Sequence, residues 1–299
     1  NNLKVSSNTS AIGVKGSEDL GDGLKAIYKL EWEIVLGPKP DTTPDTGGIY
    51  DATTSAVVGT LGGRDQFVGL KGGLGTIKFG TMSSNYKQMG GKVDPLYRTP
   101  LEGRGFLQTQ SPLHSGKAIN RGRQTHTAQY VSPKFAGVQL VANTTFSGSN
   151  DETTGVGVRW SNKTILAYAD WIDGQLGAAQ QDCSTANGCA TASAVKLGGK
   201  FATDMFSAAI QYEMNEGSDD INVPDVDYIF LAGTFNINAN NGIMLTYGMK
   251  DVDEPAGVDS LDSDGLAIAY NHKMSKMTNV YVGYGAKSSD QDYTPGTGG

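Results

Sequence analysis

Six basic residues stand on the polar side of alternating apolar–polar runs: Lys15, Lys25, Lys29, Lys78, Arg121 and Arg123. In a strand, residues two apart share a face, so each of these cations projects from the hydrophilic face of its run. Arg64 and Lys71 are additional members, although the register of 64–71 is ambiguous from the sequence. Acids of opposite sign lie at Asp94 and Glu102 in the polar segment between the runs, and at Glu31 and Glu33 near the end of one run. Cations facing carboxylates across a narrow, poorly screened gap set a transverse field that orients polar solutes and disfavours apolar ones. Arg98, Arg104, Lys87, Lys92 and Lys117 make the intervening segment mixed in sign. Any one of these lysines reads equally well as an ordinary solvated side chain; their grouping on neighbouring strands carries the electrostatic reading.

Covalent chemistry finds no support. His114, His126 and His272 are scattered over a loop and two distant strands. No Ser-His-Asp arrangement or zinc spacing emerges, and no glycine-rich phosphate loop opens a helix. Cys183 and Cys189, the two cysteines of the chain, lie in the polar stretch 174–193 without histidine neighbours. That setting favours a local disulfide and an oxidising compartment over a metal site. The acidic stretch 251–264 holds Asp251, Asp253, Glu254, Asp259, Asp262 and Asp264, oxygen ligands of the kind Ca²⁺ takes. Its spacing lacks the glycine and terminal glutamate of an EF-hand loop, and it reads as a solvated acidic loop. No cofactor is expected, with Ca²⁺ at 251–264 as the single candidate.

The elements that must position these charges are strands. The chain is 38% hydrophobic, with 41 glycines and 13 tyrosines, and carries a net charge of −7. No basic stripe dominates an element, which argues against nucleic acid as a partner. No run approaches the roughly 18 apolar residues of a transmembrane helix, whereas a membrane β-barrel needs apolar residues only at every second position. Fourteen alternating runs follow in order: 10–18, 24–34, 64–71, 76–80, 121–131, 138–146, 154–160, 163–172, 194–202, 206–214, 228–238, 242–250, 265–273 and 279–286. The run 24–34 is the clearest, with Leu24, Ala26, Tyr28, Leu30, Trp32 and Ile34 on one face. Connections alternate between short turns and long loops, and the longest, 81–120, is rich in Gly, Ser, Pro and charge. A loop of that length in a compact domain is usually functional.

A soluble sandwich has no reason to place every long connection at one end. An up-and-down barrel crossing a membrane does, since each rim faces a different compartment. Fourteen strands closed in a meander enclose a lumen too wide for side chains to fill, so the apolar face must point outward into lipid. Tyr28, Trp32, Trp171, Tyr212, Tyr247, Tyr270 and Tyr284 suit interfacial girdles. The competing readings are a secreted sandwich, and an outer-membrane barrel that uses its loops as enzyme or adhesin.

Three segments resemble the Gram-negative general porins of the neisserial and proteobacterial type. They are 10–30 (SAIGVKGSEDLGDGLKAIYKL), 67–80 (FVGLKGGLGTIKFG) and 129–137 (QYVSPKFAG). The resemblance extends over nearly the whole chain and implies one all-β domain over 1–299, a transmembrane up-and-down antiparallel β-barrel. Sixteen strands are expected, with a first before Asn1 and a closing one after Gly299 beyond the fourteen visible. It implies that 81–120 is the third external loop, folded into the lumen as a constriction against the basic wall. It further implies a homotrimer in the outer membrane of a Gram-negative bacterium, with outer-membrane lipid and lipopolysaccharide as surroundings. The activity so implied is passive diffusion of small hydrophilic solutes and ions, without enzymatic chemistry. One departure stands out: Thr81 occupies a position where the family often carries an arginine projecting into the constriction.

Overall fold

The computed structural model describes residues 8–34, 50–51, 56–57, 62–114, 122–146, 152–174, 192–217, 224–253 and 262–289. Among them, fourteen strands form one antiparallel sheet in which each strand neighbours the next in sequence. They are β1 (Ala11–Gly21), β2 (Leu24–Glu33), β3 (Gly62–Gly72), β4 (Gly75–Ser83), β5 (Arg123–Val131), β6 (Val138–Thr145) and β7 (Thr153–Ser161). The series continues with β8 (Ile165–Gly174), β9 (Ala192–Ala202), β10 (Phe206–Asn215), β11 (Val226–Asn236), β12 (Asn241–Val252), β13 (Ser263–Lys273) and β14 (Asn279–Ser289). A two-residue ribbon pairs Tyr50–Asp51 with Ala56–Val57 inside the β2–β3 connection. All short turns lie at one edge of the sheet and all long connections at the other, the arrangement expected of a meander and not of a sandwich.

The faces of this sheet are inverted relative to a water-soluble protein. Ile12, Val14, Val68, Leu70, Ile210, Leu245, Val282 and Tyr284 stand exposed on one side. The other side buries Gln129, Asn143, Asp170, Lys196, Gln211, Glu213 and Thr246. A continuous exposed apolar surface of that size is at home in lipid, where the ladder satisfies every backbone group internally. The seven girdle aromatics lie on the outward rows; Trp32 pairs with Ile12, Tyr212 with Leu197 and Tyr270 with Ile243.

What buries the polar face is the long β4–β5 connection. The sequence shows no helical periodicity there, yet α1 (Asn85–Val93) opens the segment. The Ser84 side chain caps it by accepting from the Lys87 backbone N–H at 3.1 Å. Gly90 and Gly91 sit mid-helix, where glycine weakens an isolated helix by roughly 1 kcal/mol per residue. A Cβ on Gly90 would lie 2.2 Å from His114 Nδ1, and one on Gly91 would lie 2.9 Å from the Tyr97 ring. The glycines therefore trade local propensity for close packing, which is why the helix leaves no periodic signature. From α1 the chain continues through a short 3₁₀ turn at Pro112–His114.

All three apolar clusters join this segment to the wall. Met89 and Val93 pack with Tyr168, Ala209 and Phe230. Tyr86 and Leu113 pack with Ile172 and Ala194. Leu96 and Leu107 pack with Ala267 and Ala269. One segment thus touches strands from β8 to β13, so the sheet must curl around it.

Candidate functional site

The inward face of β1–β5 carries the predicted basic residues, interleaved with acids on the same wall. The β2–β3 register slips by one residue after Leu30–Gln66, leaving Arg64 and Asp65 together opposite Glu31. This bulge turns both side chains toward the loop side, which an unbroken alternation cannot do. Arg64 Nε donates to Glu31 Oε1 at 2.6 Å, with Arg64 Nη1 3.7 Å from Glu33. Lys29 Nζ lies 2.9 Å from Glu31 and 3.4 Å from Asp65, and Arg123 Nε lies 3.0 Å from Asp65. Glu31 and Glu33 therefore neutralise the wall itself and do not form a facing negative side. Lys15 is exposed and pairs in register with Lys29, while Lys25 sits 3.9 Å from Asp19 near the short-turn end. Arg121 lies outside the described residues.

The loop acids take a different place from the one expected. Asp94 is buried; its Oδ1 accepts from the Leu96 N–H at 2.8 Å and its Oδ2 from the Gly103 N–H at 2.9 Å. Burial pushes its carboxyl up to about 6, against those two hydrogen bonds. Glu102, also buried, accepts from the Arg98 N–H at 2.8 Å and pairs with Arg104 at 3.0 Å. Both acids brace the loop backbone, so neither offers a free negative charge to a passing solute. Arg98 is exposed, and the Arg104 guanidinium lies over the Tyr97 ring at 4.5 Å. Arg104 Nη1 donates to the His114 carbonyl at 2.5 Å, and Lys87 Nζ donates to the same carbonyl. Burial, then the neighbouring Arg104, pushes the Lys87 ammonium well down.

Sequence reasoning missed the residues that hold the loop. Glu213 on β10, fully buried, accepts from Tyr86 Oη at 2.8 Å and from the Ser111 N–H at 3.2 Å, and contacts His114 Nε2 at 3.0 Å. Burial lowers His114 to about 4 despite that carboxylate, so the ring is neutral near pH 7. Lys196 on β9 lies 3.5 Å from Asp170 on β8, both wholly shielded from solvent. The Lys196 ammonium stands 3.9 Å from the Tyr86 ring centroid and donates to the Tyr86 carbonyl. Asn85 Nδ2 reaches Asp170, the Val156 carbonyl and the Trp171 carbonyl at 2.8–3.2 Å. The available signal was the inward parity of Asp170, Lys196, Gln211 and Glu213 in apolar strands; their common target is visible only once the sheet curls.

Between α1 and the short turns lies a cavity of about 730 Å³. Lys78, Lys87, Lys92, Lys134 and Arg159 line it against one acid, Asp65. Lys78 Nζ donates to Gln129 Oε1 at 2.6 Å, and Arg159 donates to Gln88 Oε1 at 3.0 Å and to the Asn85 carbonyl at 3.2 Å. With the Lys87 amine held on the His114 carbonyl, Lys78, Lys92, Lys134 and Arg159 leave the charge facing this space positive, although the chain is acidic overall.

Cys183, Cys189 and residues 254–261 lie outside the described residues. Asp262 Oδ1 accepts from the Val252 N–H at 2.9 Å, and no cluster of three metal-binding side chains occurs among the described residues.

A family model for Gram-negative porins matches residues 2–292. The chain belongs to that family. It is 33% identical over 162 residues to the major outer membrane protein P.IB of Neisseria gonorrhoeae, covering 53% of this chain and 39% of the relative. It is 37% identical over 92 residues to P.IA of Neisseria meningitidis, covering 31% of this chain and 19% of the relative. The aligned part thus spans less than half the length of these curated relatives. Among solved structures, the anion-selective porin from Comamonas acidovorans superposes with a TM-score of 0.71 at 19% identity, over 95% of this porin and 80% of that one. The trimer form of OmpT from Vibrio cholerae also gives 0.71, at 16% identity over 96% and 82%. The fourteen-stranded meander accordingly has the fold of the sixteen-stranded porin barrels.

Proposed function

We propose that this porin forms, as a single domain over 1–299, a water-filled channel for passive diffusion of small hydrophilic solutes and ions. The inserted segment 84–114 constricts the lumen, and the passage runs between that segment and the inward face of β1–β5. The observation that carries the reading is the split of the interior: one side is filled by loop–wall cores, and the other keeps charged, partly exposed side chains and the basic cavity. Passage through such a site is governed by shape and field alone. Lys15, Lys25, Lys29, Lys78 and Arg123 line the route, Lys29 and Arg123 ion-paired with acids of the same wall, and Arg98 and Arg104 contribute the loop's charge. The unbalanced cations around the 730 Å³ cavity favour small anions, the preference named for the Comamonas neighbour. The functional unit is a homotrimer set in outer-membrane lipid and lipopolysaccharide, in line with the trimeric OmpT.

Reversal potential under a KCl gradient tests this reading. The wild type should pass Cl⁻ in preference to K⁺, and Lys78→Gln combined with Lys134→Gln should move the potential toward cation preference. An open channel with cation preference in the wild type would reject the basic cavity as the selectivity element.

A further inference from the structure

Short turns of a barrel ordinarily consist of Gly, Asn, Asp and Ser, which satisfy backbone groups locally and face water. Here five of the seven short turns carry a large apolar side chain in the open, at Leu74, Phe135, Met205, Ile237 and Met277, and Leu20 stands exposed at the end of β1. Leu74 is 89% exposed, Phe135 83% and Met277 95%. The β1–β2 turn, Asp22 and Gly23, and the β7–β8 turn, Asn162, Lys163 and Thr164, are without such a residue. These side chains lie beyond the aromatic belt of that rim. Tyr130 donates to the Leu74 carbonyl at 2.6 Å and Tyr270 to Asn241 Oδ1 at 2.6 Å, so both hydroxyls point at the turns. Tyrosine hydroxyls so placed normally mark the level at which lipid gives way to water.

We propose that the short-turn rim is itself a membrane-embedded surface, covered by the headgroup and upper acyl region of the adjacent leaflet. Two observations favour lipid over a protein partner. First, the apolar side chains are spread from the β3–β4 turn to the β13–β14 turn, which suits an annular solvent and not a partner docking on one side. Second, they continue the lipid-facing rows: Ile237 has the parity of Ile229, Leu231 and Phe235. Lys276 stands beside Met277 in the β13–β14 turn, where its ammonium group can meet a lipid phosphate while the stem lies along the apolar rim.

The test places an environment-sensitive nitrobenzoxadiazole probe at single positions of the full chain carrying Cys183→Ser and Cys189→Ser. Probes on Phe135→Cys and Met277→Cys, in phosphatidylcholine vesicles, should be several-fold less quenched by aqueous iodide than one on Lys163→Cys. Lipids spin-labelled near the headgroup should quench them strongly. Equal iodide quenching at all three positions would overturn the proposal, and so would protection from iodide and spin-labelled lipid alike, which would point to a second copy of the chain. Because the probe is itself apolar, an unlabelled comparison completes the test. A variant with Leu74, Phe135, Met205, Ile237 and Met277 all changed to Ser should keep its heat-modifiable fold. Its stability optimum should move to phosphatidylcholines of shorter chain length; an unmoved optimum would also overturn the proposal.

Discussion

The inward faces of β1–β5 and of β7–β14 belong to one continuous sheet, yet they solve opposite problems. On β7–β14, small residues admit the inserted segment: a Cβ on Gly155 would lie 2.1 Å from Asn85 Oδ1, and one on Gly265 would lie 2.9 Å from the Thr109 side chain. Charges there, at Asp170, Lys196 and Glu213, are fully shielded and each is matched to a group on the loop or a neighbouring strand. On β1–β5 the charges pair along the wall and, the buried Arg64 apart, stay within reach of water, as Lys29, Glu31, Asp65 and Arg123 do. Buried charge on one side fixes the constriction; hydrated charge on the other lines the route. The same residue types serve as anchor or as lining according to what covers them.

The largest expected effect comes from breaking the anchor. Lys196→Met leaves Asp170 as an unpaired buried carboxylate, a loss of roughly 3–5 kcal/mol for a truncated buried pair. Thermal unfolding of the detergent-solubilised variant should show it, and its open-channel current should become noisy as α1 loosens. A quiet channel of unchanged thermal stability would mean the pair holds nothing. Lys29→Met on the hydrated wall is the counterpart, and should cost under about 1 kcal/mol because water screens the acids left behind.

Overpacking is the next step down. Gly265→Leu pushes into Thr109 and Leu107 and should cost about 1–3 kcal/mol. The loop has room to move only toward β1–β5, so single-channel conductance should fall. A rise in conductance would place the passage on the other side of the loop.

Acid titration separates two loop groups. His114 titrates near 4 in the folded protein against an ordinary 6.5, so its contribution is present above 6.5 and is lost as pH falls to 4. Asp94 has its folded value raised to about 6 from 3.8, so between those values the folded state holds more protons and stability grows as pH falls. The two trends oppose each other in the wild type. Melting temperature should therefore rise from pH 6 to 4 in His114→Gln and fall in Asp94→Asn, relative to the parent. Parallel curves for all three proteins would remove both assignments. The smallest effect is expected at the exposed pair Lys25–Asp19, where Lys25→Ala should change stability by less than about 1 kcal/mol.

The wall was legible in the sequence because its code is local: a period of two, with turns between, can be read without knowing any partner. The run 24–34 reads off as β2 almost residue for residue, and 81–120 stands out by length and composition alone. The constriction was not legible, for three physical reasons. Glycines chosen for close packing hid α1. A one-residue bulge brings Arg64 and Asp65 together opposite Glu31, so the ambiguous register of 64–71 could place neither from the sequence. Asp94 and Glu102 read as free charges because their backbone partners, Gly103 and Arg98, meet them only through the loop's own fold. The inward charges of β8–β10 have the same character, since Tyr86 and Glu213 meet across 127 positions of sequence.

Single-channel recording in a planar bilayer tests the central claim most directly. The account predicts stepwise insertion of a steady, ohmic current with low open-channel noise in the wild type, because the loop is held on β7–β14 and the passage along β1–β5 stays open. Folded protein that inserts without conducting, or that conducts only when Lys196→Met frees the loop, would show that segment 84–114 plugs the barrel and would contradict the account.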